Sequence, residues 1–69
     1  MKNIIKIARL LERELIKNDY TMVDIDFDMA MDLIVADIAH EGIKIEEAVE
    51  NWFYNTLHNY PDMLIPVEN

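Results

Sequence analysis

The stretch VDIDFDMAMD, residues 23–32, carries aspartates at 24, 26 and 28 and a fourth at 32. Carboxylates at this density suit a hard cation, and Asp24, Asp26, Asp28 and Asp32 match loop positions 1, 3, 5 and 9 of an EF-hand. The match stops there. Met29 stands where the sharp turn needs glycine, and Val35 where a bidentate glutamate closes the site. Zinc is no better served: His40 beside Glu41 and His58 near Asp62 are isolated pairs, cysteine is absent, and no HExxH spacing occurs. Serine is absent too, so neither a serine nucleophile nor an attachment point for phosphopantetheine exists. Glu46 and Glu50 lie one helical turn apart beside Phe53, a spacing open to acid–base work, but nothing in the sequence builds a cleft around them. A single glycine, Gly42, cannot make a phosphate-cradling loop. The expectation is a protein with no enzymatic activity, no cofactor and no metal.

What these carboxylates can do is present charge. On a helix, side chains at i and i+4 project from points about 6 Å apart, close to the spacing of successive phosphates along a DNA strand. Asp24, Asp28 and Asp32 form one such row, and Glu46 and Glu50, with Glu47 beside them, form a second. The net charge is −8, unevenly spread: residues 1–17 carry five bases against two acids, whereas residues 18–69 carry twelve acids against Lys44 alone. So polarised a chain attracts basic surfaces and repels nucleic acid and anionic membranes. The expected partner is therefore a basic, nucleic-acid-binding protein, met through Asp24, Asp28, Asp32, Glu46, Glu47 and Glu50, with no direct nucleic-acid or membrane contact.

Three helices must position these rows. Over residues 3–17, Ile4, Ile7, Ala8, Leu11 and Leu15 recur at the spacing of a buried helical stripe. Lys2, Lys6, Arg9, Arg13 and Lys17 collect on the opposite side, flanked by Ile5 and Ile16, and Asn18 suits the left-handed residue that ends the helix. Thr21 and Asp24 fit a capping box, with Tyr20 and Ile25 placed as its hydrophobic staple, so a second helix is expected over 22–41. Phe27, Met31, Ile34 and Ile38 make its inner stripe, and Gly42 suits its end. Met29, Leu33 and Ala36 lie on its other side, and a helix apolar on two sides packs on two sides. A third helix is expected over 45–58, with Ile45, Ala48, Val49, Trp52 and Thr56 inward and Lys44 a poor N-cap. Pro61 and Pro66 exclude a helix from the tail, residues 59–69, which is nonetheless too apolar to be solvated and is expected to lie extended across helices or a partner.

The expected fold is thus all-α: a small three-helix domain, residues 1–69, with an extended Pro-containing tail. With 52% hydrophobic residues, 69 in all, and no cysteine to staple the core, the chain is expected to bury its surplus by forming a homodimer, with Met29, Leu33, Leu64 and Ile65 at the interface. Charges at Lys6, Arg9, Glu12 and Arg13 break up any signal-peptide core, and no apolar run approaches the ~20 residues that span a bilayer, so a cytoplasmic location is expected.

In size, acidity and lack of catalytic residues the chain is similar to small acidic phage proteins that inhibit host nucleic-acid-binding machinery, a class that includes anti-CRISPR and anti-restriction inhibitors. That similarity implies a non-enzymatic inhibitor that imitates DNA. The alternative is a small helical homo-oligomerising adaptor that acts through its apolar faces.

Overall fold

A computed structural model describes residues 2–67 of the protein; Glu68 and Asn69 of the expected tail lie outside the described residues. The chain is mostly helical. It runs α1 (Lys2–Lys17), β1 (Tyr20–Thr21), α2 (Asp24–Glu41), α3 (Ile45–Asn59), a 3-10 turn (Pro61–Met63) and β2 (Ile65–Pro66). Three helices around one apolar core place the fold in the all-α class, and a single two-stranded antiparallel ladder ties its ends together, with Tyr20 opposite Pro66 and Thr21 opposite Ile65.

Each helix buries one stripe. Ile7, Leu11 and Leu15 go inward from α1, Ala30, Met31 and Ile34 from α2, and Ala48, Val49, Trp52, Phe53 and Thr56 from α3. Ile4, Phe27, Ile38 and Ile45, expected on these stripes, are only partly covered or exposed. Phe53 is fully buried and widens the α3 stripe beyond the residues that the sequence suggested. No buried side-chain nitrogen or oxygen among the described residues lacks a hydrogen-bond partner.

The helix ends correct three expectations and support one. Thr21 does not cap α2. The N-cap is Val23, in extended conformation and with no side-chain cap bond, so α2 begins at Asp24. Thr21 instead lies in β1, where a β-branched residue is at home, and its place in the ladder opposite Ile65 excludes the cap geometry. The staple fails with it: Ile25 is 71% exposed, and Tyr20 packs its ring against Phe53, centroids 6.0 Å apart. After α1 the left-handed residue is Asp19 (φ 62°) rather than Asn18. Asn18 remains on the helix end and donates from Nδ2 to the Glu14 carbonyl at 2.8 Å. Gly42 does end α2 with φ 65°, its N–H donating to the Ile38 carbonyl at 3.0 Å.

The tail folds back on its own chain. Pro61 opens the 3-10 turn, which suits its fixed φ, and the turn swings Leu64 into the core, where it is 3% exposed. Leu64 is therefore a core residue and not an interface residue, because the chain itself has already covered it. Beyond it, Ile65 and Pro66 pair with β1, and the Val67 N–H donates to the Asp19 carbonyl at 2.8 Å. Leu64→Ala is expected to cost ~2–5 kcal/mol in urea unfolding, whereas Thr21→Ala, at an exposed strand position, is expected to change stability by less than about 0.5 kcal/mol. A Thr21→Ala cost near that of a lost helix cap would restore the capping box.

Candidate protein-binding surface

The inner stripe of α2 fixes what its outer side shows. With Ala30, Met31 and Ile34 buried, a helical step of about 100° per residue turns Asp24, Asp28 and Asp32 along one flank. Beside that flank come Ile25, Met29 and Leu33, which are 71%, 52% and 52% exposed. Asp37 lies beyond them, toward α3. The outer side of α2 is therefore an acidic row next to an apolar row. The four aspartates of the opening stretch do not converge on one point, since Asp26, half-buried, falls on the opposite flank from Asp28.

The second row is placed differently. Glu46 sits against α1, its Oε2 3.9 Å from Lys6 Nζ, with both side chains more than half exposed. That is the single ion pair among the described residues. Glu50, one turn on, shares this flank of α3, while Glu47 turns about 100° away onto the outer side. Asp24 meets the other flank of α1, lining a groove of about 400 Å³ with Glu12, Ile16 and Phe27. On α1, Glu12 and Lys6 point about 120° apart. The basic face of α1 therefore lies between the two carboxylate rows. The rows that the sequence suggested as one array are two separate surfaces, and the α3 row is partly answered within the chain by Lys6.

Met29 and Leu33 line a second groove, of about 400 Å³, between α2 and α3, with Trp52, Tyr60 and Met63 across from them. Its single charged lining residue is Asp37. Ile65, 41% exposed, is held in the ladder, away from that groove's lining. The sequence reading did not single out exposed Ile25 or Val35 as surface features, although each lies one or three positions from an aspartate of the α2 row and its wheel position could have shown it. No helix among the described residues is long and apolar enough to cross a membrane.

Compared with protein-family models, with curated proteins and with solved structures, the chain matches none.

Like charges at i and i+4 work against a helix by roughly 0.2–0.5 kcal/mol per pair. Asp28 and Asp32 form such a pair in mid-helix, too far from the N-terminus for the helix dipole to compensate fully. Asp28→Asn with Asp32→Asn is accordingly expected to leave stability unchanged or raise it by a few tenths of a kcal/mol in urea unfolding. A loss above about 1 kcal/mol would show that these carboxylates hold the fold.

Proposed function

We propose that the protein is a non-enzymatic inhibitor or regulator that binds a basic, nucleic-acid-handling protein, and that Asp24, Asp28 and Asp32 of α2 make the contact. The observation that carries this reading is the state of that row. All three carboxylates are exposed, none takes part in an ion pair among the described residues, and their mutual repulsion gives the helix nothing. The row runs beside exposed Ile25, Met29 and Leu33, so a partner gains apolar contact along with charge.

Spaced about 6 Å apart along the helix, the three carboxylates reproduce the charge spacing of one phosphate strand. A protein surface built to hold that strand through lysines and arginines meets the same pattern on α2. Glu46, Glu47 and Glu50 play a lesser part, since Lys6 already faces Glu46 and the α3 row looks away from the α2 row. Each exposed pair contributes little on its own, so such a contact depends on several charges meeting at once and acts mainly on the association rate.

A second reading has one observation in its favour. The groove bounded by Met29, Leu33, Trp52, Tyr60 and Met63 is apolar enough to accept a partner's side chains with little help from charge, as an adaptor would.

Immobilised protein challenged with cell extract separates the two readings. The expected result is retention of a nucleic-acid-binding protein that added duplex DNA or RNA releases and that Asp28→Asn with Asp32→Asn fails to retain. Retention that survives this neutralisation and disappears with Leu33→Lys would reject the carboxylate reading in favour of the groove.

A further inference from the structure

The α1–α2 side of the molecule carries a pattern that the partner reading leaves unused. On α1, Arg9 and Arg13 border a shallow groove with Glu12 and Ile16, so the bases outnumber the acid there. Ile16 in turn shares the neighbouring groove with Asp24 of α2. Crossing this side, one meets basic Arg9 and Arg13 with Ile5 in the groove beside them, then Ile16, then the acidic row that begins at Asp24, with Val35 within the row and Ile25 past it; Ile5 and Ile16 are 61% and 67% exposed. Ile16 thus stands in solvent between a basic ridge and an acidic one, and Ile5, Ile25 and Val35 are exposed along the two ridges themselves.

We infer that this side is the contact surface for a second copy of the chain, related by a two-fold axis through the α1–α2 seam. A two-fold axis brings each patch onto its own copy reversed. The basic ridge of α1 then lies over the acidic row of α2 in the other copy, twice over, and Ile16 of each seam lies near the centre. The charge complementarity is internal to one sequence and needs no other partner to explain it.

The alternative place for a second copy, the α2–α3 groove, lacks this property. Asp37 is its single charged lining residue, so two copies meeting there would gain no pairing of opposite charges. Helices of 16 and 18 residues, each about 25 Å long and 10 Å across, present a flat footprint of roughly 500 Å², which suits an interface smaller than the standard one of about 800 Å² per subunit. Such a dimer covers Asp24, Asp28 and Asp32. If these also bind the basic partner, as proposed above, dimer and partner exclude one another and dissociation releases the active surface; this consequence rests on the partner reading, whereas the dimer does not.

The test is a charge exchange read by light scattering, with no partner present. One variant carries Arg9→Glu with Arg13→Glu, the other Asp28→Arg with Asp32→Arg. Wild type is expected to have twice the chain mass. Each variant alone is expected to fall to the mass of one chain, because both seams then set like against like. An equimolar mixture of the two is expected to return to twice the chain mass, since both seams become complementary again. Far-UV circular dichroism confirms that each variant is folded; for one that is not, Arg9→Gln with Arg13→Gln, or Asp28→Asn with Asp32→Asn, replaces it and must weaken the dimer. A monomeric wild type, variants that remain dimers, or a mixture that stays monomeric overturns the inference. So does a dimer indifferent to both reversals but lost on Leu33→Lys, which would put the second copy in the α2–α3 groove.

Discussion

Burial of the α3 stripe around Phe53 is the interaction on which the rest of the structure depends. A chain of 69 residues without cysteine has no covalent staple, and its total stability is a small difference between large terms. Phe53 is completely buried, packs its ring against Tyr20 of β1 and against Tyr54, and belongs to the same core as residues of α1, α2 and the tail. Burying one such side chain contributes about 1.5–3 kcal/mol, a large part of what a domain of this size has. The β1–β2 ladder matters for a related reason. It holds Leu64 in the core and closes a loop that takes in all of α2 and α3.

Because the core does this work, the charges do not have to. The one ion pair among the described residues is exposed at both ends and contributes little. The basic ridge of α1 and the acidic row of α2 stand at the surface, outside the core. Exposed isoleucines beside both ridges cost the free monomer solvation, and like charges on α2 cost it helix stability. A complex that covers these side chains, as proposed above, would recover both costs.

Much of this architecture was legible in the sequence, because helices write their inner face at a short period. The stripes Ile7–Leu11–Leu15 and Met31–Ile34, and the turn at Gly42, follow from spacing and from one residue's tolerance of positive φ. What failed was non-local. Thr21 and Asp24 satisfy a local capping pattern, but residue 21 is claimed by Ile65, far along the chain, and no local window contains that pairing. Leu64 sits in a segment without periodicity, so its apolar character could not be assigned to the chain's own core rather than to a partner. Phe53 stands about 60° to the side of the stripe through Trp52 and Thr56, so spacing alone does not put it in the core. The carboxylate rows themselves were readable at i, i+4 spacing. Their separation by the basic face of α1 was not, since that depends on how three helices are arranged around one core.

The central claim is that the basic ridge of α1 and the acidic row of α2 act between molecules and not within one. Sedimentation equilibrium across a salt titration, from about 0.02 M to about 0.5 M NaCl, tests it most directly, because exposed charge pairs are screened over this range while a buried apolar core is not. The account predicts a mass near twice the 8.2 kDa chain at low salt that falls toward 8.2 kDa as salt rises, with helicity unchanged. A mass that does not move with salt, or helicity lost along with it, would contradict it.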